Sequence, residues 1–245
     1  MGLTLHFTLK APAATSAMEA RCLIEKLQAT AKELPFRLVT EVFELTGDAC
    51  EFEHGRRDVP ITLLLHGSRY LKQGEEDWIS VTPTHLIGFF VAVGEGCEPA
   101  DFGLALYPEF VTAPDGERME TGLTGWSWQS FCKTQYASNP KAGGQENFLR
   151  CHLNLIKMLD AAQSLGIVEK VQDEGEYWES RDLTQLCERL KVYNTLIAGF
   201  AGELKDRMKV EAPITSFPNF EHLEAEGRAI WTDPDEELEG QEEIP

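Results

Sequence analysis

No short motif of a common catalytic class occurs in this chain. It has no Walker A pattern, no G-x-G-x-x-G, no G-x-S-x-G and no H-E-x-x-H. Gly94 and Gly96 begin a G-x-G, but Cys97-Glu98-Pro99 follows and cannot open a phosphate-binding helix. Asp233, Asp235 and Glu237 imitate the start of an EF-hand loop, with Leu238 where the required glycine should be. The six histidines are scattered, and none has a Cys or His partner at zinc spacing. No metal site and no cofactor are expected. These absences bear less on enzymes whose groups meet only in the folded chain.

Long apolar runs are also missing. None approaches the ~18–20 residues of a membrane span, so no membrane is expected as a partner. The opening MGLTLHFTLKAPAA lacks a basic start, and His6 and Thr8 interrupt its apolar stretch, unlike a signal peptide. His6 stands where the myristoylation pattern requires Ser or Thr. Cysteine is sparse and never paired as C-x-x-C. Cys22, Cys151 and Cys187 fall among apolar neighbours in helical patterns, which predicts buried free thiols in a reducing compartment, with the cytoplasm as the expected location.

Positive charge is scarce: 22 Lys and Arg face 41 Asp and Glu, a net charge of −19. Such a field repels a phosphate backbone at long range, so nucleic acid is not an expected partner. Ten acids against the single base Arg228 lie between Glu221 and Pro245. The remaining body is still acidic, and solubility is the plain reading of its charge.

What is present is an ordinary globular share of hydrophobic residues, 42%, enough for a sizeable core. Leu3, Leu5, Phe7 and Leu9 alternate with polar residues, as in a strand with one buried face. Ser16 with Glu19 predicts a capping box, with a stripe of Met18, Cys22, Leu23, Leu27, Ala31 and Leu34 behind it and Pro35 at the end. Strands are expected over 36–45, 61–65, 86–93, 102–106 and 126–136, with a polar excursion at 72–78 and a turn at Pro114-Asp115-Gly116. A helix should follow Gly143-Gly144, carry Phe148, Cys151, His152, Leu155, Leu159 and Ala162 inward, and stop at Gly166. Ile167 to Val171 reads as a short strand. Asp182 with Gln185 opens a last long helix along Leu183, Leu186, Leu190, Tyr193, Ile197, Phe200, Leu204 and Met208. Gly199 and Gly202 inside it call for a closely packed neighbour or a kink. The expected fold is α+β: an N-terminal β-α-β, a mixed or mainly antiparallel central sheet, and two long helices from the C-terminal half packed on it. Residues 1–217 form one domain in this reading, and 218–245 an acidic tail.

The segment Gly125 to Leu153 is the densest in unusual residues. Between Glu120 and Asp160 the only acid is Glu146, against Lys133, Lys141, Arg150 and Lys157. This local inversion of charge precedes a glycine pair at a helix start, where free N–H groups and the helix dipole suit a carboxylate or phosphate. The competing reading is a glycine linker with solvated lysines. Cys132 ahead of Cys151-His152 supplies the minimum for thiol catalysis, although Cys132 and His152 both lie on core-facing stripes. Asp173, Glu174, Glu176 and Glu179 around Tyr177 and Trp178 could instead make a general-acid site, or simply a polar loop entering a helix.

The leading expectation is a non-catalytic binding protein with an anion-accepting site around residues 133–152. The partner would be an anionic small molecule or an acidic protein segment, the chain's own tail included. The alternative is a small-molecule enzyme using polar groups converging from residues 125–182. The candidate binding residues are Lys133, Tyr136, Lys141, Gly143, Gly144, Arg150, His152, Glu174 and Trp178.

The runs SFCKTQYAS at 130–138, NFLRCHL at 147–153, DEGEYWESRD at 173–182 and GEGCEPADFGL at 94–104 resemble a family of bacterial proteins without an assigned activity. The resemblance covers roughly residues 85–205. It implies a bacterial origin and one continuous fold, and carries no activity over.

Overall fold

A computed structural model describes residues 3–51, 59–73, 77–113, 116–209 and 212–232. The first strand, β1 (Thr4–Lys10), leads into α1 (Ala17–Glu33), β2 (Leu38–Val39), β3 (Phe43–Thr46) and the short helix α2 (Ile61–Gly67). Two strands, β4 (Arg69–Gln73) and β5 (Asp77–Val81), form a separate hairpin. They are followed by β6 (His85–Ala92), β7 (Ala100–Leu106), the small pair β8 (Phe110–Thr112) and β9 (Arg118–Glu120), and β10 (Ser127–Lys133). The second half holds α3 (Gly144–Ser164), β11 (Val168–Asp173), α4 (Tyr177–Ser180), α5 (Leu183–Met208) and α6 (Phe220–Thr232).

The main sheet runs β11-β1-β10-β7-β6-β2, and β3 joins it on β6. Every pairing in it is antiparallel. The fold is thus α+β with a β-α-β opening and long helices in its second half, as expected. Its core holds the alternating Leu3, Leu5, Phe7 and Leu9 of β1, together with Phe89, Phe102, Trp128 and the inner residues of α1 and α3. Leu86, Ile87, Gly88 and Phe89 are successive and all buried. Both faces of β6 are therefore covered, with α1 and α2 each in contact with it.

Local chemistry explains the helix ends. The Ser16 hydroxyl accepts from Glu19 N–H at 3.3 Å, and the Glu19 carboxylate accepts from Ser16 N–H at 2.8 Å, a complete capping box. The inward face of α1 is rotated from the sequence reading. Ala20, Ile24, Leu27, Gln28 and Ala31 are buried, while Met18 and Cys22 are exposed. Cys187 is half-buried, Cys151 is buried as expected, and all six thiols are free.

Four further differences have physical causes. Ile61 to Leu65 is the start of α2, not a strand. A short apolar run does not distinguish the two, and Pro60 at the N-cap favours the helix. The stretch 36–45 splits into β2 and β3 because Thr40 intervenes, its hydroxyl accepting from Phe90 N–H at 3.0 Å. Of the polar excursion at 72–78, residues 74–76 lie outside the described residues and the rest belongs to the β4–β5 pair, which buries Ile79 and Val81 and exposes Tyr70 and Trp78. The strand expected over 126–136 ends at Lys133, and Tyr136 sits in a 3-10 turn, Gln135–Ser138.

The largest difference is at the C-terminal end. Residues 220–232, assigned by composition to the tail, form α6 and pack along α5. Ile214, Phe217, Phe220 and Leu223 join Ile197, Ala198 and Ala201 in a second buried cluster. Gly199 and Gly227 face each other at the crossing. A Cβ on Gly227 would lie 2.2 Å from the Thr195 carbonyl, so the expected close neighbour of α5 is α6. Residues 233–245, with the remaining acids of the tail, lie outside the described residues. Among the described residues, no helix is long and apolar enough to cross a membrane.

Candidate functional site

Cross-strand register builds the floor of a cavity. His6 of β1 pairs with Phe131 of β10 on one side and Gln172 of β11 on the other. One step along, Thr8 pairs with Gln129 and Lys170. Residues opposite one another in a ladder share a face, so these six side chains form two adjacent rows. The wall comes from the end of α2 and the start of β4, through Leu65, His66, Ser68 and Arg69. Together they enclose about 440 Å³, within the range of small-molecule sites. A neighbouring cavity of about 300 Å³ shares Thr8, Arg69 and Gln129 and continues the groove toward Lys10 and Glu169.

α2 can approach the sheet closely because Gly88 and Gly103 are paired beneath it. A Cβ on Gly88 would meet the Leu63 side chain at 2.9 Å. This approach places His66 over β7 and β10. His66 Nδ1 lies 2.8 Å from Asp101 Oδ2, and Asp101 is fully buried. Thr62 donates its hydroxyl to Asp101 Oδ1 at 3.2 Å, and the Phe131 ring meets the imidazole edge-on at 5.2 Å. The carboxylate requires a proton on Nδ1, which leaves the Nε2 lone pair unused. Nε2 has no hydrogen-bond partner among the described residues, and His66 lines the cavity with its side chain one-fifth exposed.

Ser130 Oγ is also close, 3.2 Å away, but from the same Nδ1. A serine–histidine–aspartate relay needs the hydroxyl on the opposite ring nitrogen, so Ser130 is not an activated nucleophile here.

Arg69 holds the end of α2. It donates from Nη1 to the His66 carbonyl at 2.9 Å, and its guanidinium lies 5.4 Å from the centre of the Tyr107 ring. The Tyr107 hydroxyl in turn donates to the Gly67 carbonyl at 2.7 Å. Burial raises the Tyr107 pKa to about 12 against the opposing effect of Arg69, so the phenol stays neutral. Burial also lowers the pKa of Arg69, with Tyr107 acting in the opposite sense, and no carboxylate contributes. Arg69 Nη2 is buried without a partner. The cavity lining combines Arg69 and Lys170 with the imidazoles of His6 and His66, and contains no acidic side chain.

The nine residues singled out by sequence do not line this cavity. Lys133 closes β10, where its N–H donates to Glu98 Oε2 at 3.1 Å. Tyr136 is half-buried in the following turn, and Lys141 is exposed. Gly143 adopts φ 108° as the cap of α3, but its N–H and that of Gly144 donate to Pro140 O and Asn139 O. Two donors of the expected anion cradle are thus already used. Arg150 turns to Asn147 Oδ1 at 2.5 Å. His152 is fully buried between Thr134 and Asp173. Glu174 accepts from Thr4 N–H at 2.8 Å, and Trp178 carries Arg181 over its ring.

Sequence reasoning passed over His6, His66, Arg69 and Lys170. The alternation along β1 already put His6, Thr8 and Lys10 on one face, and that signal was usable. The position of His66 was hidden by reading its helix as a strand. Among the described residues, no group of three or more His, Cys, Asp and Glu side chains is arranged to hold a metal ion. No protein-family model, curated protein or solved structure matches the chain.

Proposed function

We propose that the protein binds a small anionic molecule in the groove between the α2–β4 corner and strands β10, β1 and β11. The observation that carries this reading is Arg69, a desolvated cation with no carboxylate partner, on a cavity lined by Lys170, His6 and His66. An uncompensated charge away from water is costly, and an anion offsets that cost. The rest of the chain is strongly acidic, so a locally basic groove is a selective feature of the surface. Phosphate or carboxylate suits a guanidinium best, through paired hydrogen bonds.

Calorimetric titration with inorganic phosphate tests the proposal. Saturating phosphate should also raise thermal stability, by about 2.7 kcal/mol at a hundred times Kd. Arg69→Gln should abolish binding. Lys170→Ala, at an exposed strand position, should weaken it without cost to the fold. Lys141→Ala and Arg150→Ala should leave it unchanged. Loss of binding in the last two variants with retention in Lys170→Ala would return the site to residues 133–152. Absence of binding in the unmodified chain would dismiss the proposal.

A further inference from the structure

The groove holds more than cations. His6 and His66 come from elements 60 residues apart, yet both rings approach the same Phe131 ring, with centroids at 5.8 and 5.2 Å. The two imidazoles stand in different states of restraint. His66 is fixed through Nδ1 by the buried Asp101 carboxylate, and its free Nε2 lone pair can only accept a proton. His6 is exposed, and neither of its ring nitrogens has a hydrogen-bond partner among the described residues. Both nitrogens are therefore open to a ligand in the groove. One imidazole poised as a base, a second available as an acid and two cations on the same cavity lining make an arrangement suited to phosphoryl chemistry, where charge grows on non-bridging oxygens.

Resting on the anion-binding reading above, we propose that the groove hydrolyses a small phosphodiester, with His66 as general base and His6 as general acid. Water gives a proton to His66 Nε2 as its oxygen bonds to phosphorus. The bond from phosphorus to the leaving oxygen breaks, and His6 delivers a proton to that oxygen. An acyclic diester leaves as a phosphomonoester and an alcohol, a cyclic one as a single ring-opened monoester, and proton exchange with solvent returns both imidazoles to their starting forms. Arg69 and Lys170 hold the non-bridging oxygens throughout. Ser130 forms no covalent intermediate, because its hydroxyl meets the wrong nitrogen of His66. A cavity of about 440 Å³ admits a ligand of mononucleotide size.

The test uses the full chain and two probes that differ in leaving group. Bis(4-nitrophenyl) phosphate expels a stabilised phenolate that needs little protonation. A nucleoside 2′,3′-cyclic phosphate expels an alkoxide that needs a proton. The unmodified protein should turn over both. His66→Gln should lower both rates about 100-fold, the usual size of a general-base contribution. His6→Gln should lower the cyclic phosphate rate by a similar factor and spare the nitrophenyl diester. Both variants should still bind inorganic phosphate in the calorimeter, more weakly than the unmodified chain, because Arg69 and Lys170 remain. Phosphate binding without turnover of either probe would overturn the catalytic inference and leave the binding site standing. Turnover unaffected by either histidine variant would overturn it as well. Failure of the unmodified chain to bind phosphate would remove the reading on which both rest.

Discussion

His152 Nε2 and Asp173 Oδ2 lie 3.2 Å apart, with neither side chain exposed to solvent. Asp173 also accepts from the N–H groups of Gly175, Tyr177 and Trp178, at 2.8, 2.9 and 3.0 Å. It therefore ties α3, β11 and the turn into α4 together. Burial alone would raise its pKa. The hydrogen bond and charge of His152 and the backbone donors outweigh burial and hold it below the ordinary carboxylate range. The native state consequently favours the ionised form. That stabilisation is complete above the unfolded-state pKa, near 4, and disappears as pH falls through the depressed native value. Denaturant titrations between pH 7 and pH 3 should show stability falling with acid. Asp173→Asn should cost about 3 kcal/mol at pH 7 by leaving buried donors unmatched. It should also flatten part of the acid limb, and an unchanged limb would contradict this role.

The α5–α6 crossing predicts an asymmetry between two glycines of similar appearance. A Cβ at Gly227 strikes backbone, the Thr195 carbonyl at 2.2 Å and Gly199 Cα at 2.9 Å. The three nearest atoms to a Cβ at Gly202 all belong to the Glu224 side chain, which would have to shift from its ion pair with Arg228. Gly227→Ala should therefore separate the helices, while Gly202→Ala needs only a side chain to move and should cost less. Hydrogen exchange would show residues 220–232 losing protection in the first variant alone, with the main sheet unchanged. Equal protection in the two variants would argue against the close crossing.

The thiols differ in reactivity for reasons visible in their surroundings. Burial pushes Cys50 up to about 11. Cys97 and Cys151 are also raised well above the ordinary value, Cys97 first by its contact with Cys132 and Cys151 first by its contact with Cys97. Cys22 is exposed. Native alkylation at pH 8 should modify Cys22 first, while Cys50, Cys97, Cys132 and Cys151 react only on unfolding. Mass spectrometry of the freshly prepared protein should find six free thiols. Early labelling of Cys50 would show that its burial is overstated.

Where local chemistry decides structure, the sequence was sufficient. The Ser16–Glu19 box, the alternation of β1 and the core stripe of α3 were all legible, because each depends on neighbours three or four residues apart at most. α2 was not, since ITLLLHG has the composition of a strand and becomes helical through Pro60 and the glycine floor under it. α6 was obscured by its acids, of which Glu224 and Glu226 flank the buried Phe220, Leu223 and Gly227 and reach α5 at Gly202 and Thr195. The groove was the least legible feature. His6, Gln129 and Lys170 are far apart in the chain and meet only through the register of three strands, and His66 joins them only because α2 seats closely on the sheet. Phe200 and Met208 continue the apolar period of α5 and are nevertheless exposed. The buried face there is carried instead by the small residues Ala198, Gly199, Ala201 and Gly202.

The position of β1 has a consequence for biosynthesis. It leaves the ribosome well before its two ladder partners, residues 127–133 and 168–173. Roughly 160 residues separate it from β11, so at about 5–20 residues per second it waits on the order of ten to thirty seconds for its last neighbour. During that interval Leu3, Leu5, Phe7 and Leu9 have no completed sheet to enter, and α1 can shield them only in part. The middle of the sheet therefore closes late, through contacts of high sequence separation that slow folding. The nascent chain spends that time with an unpaired apolar strand, the kind of segment that chaperones capture.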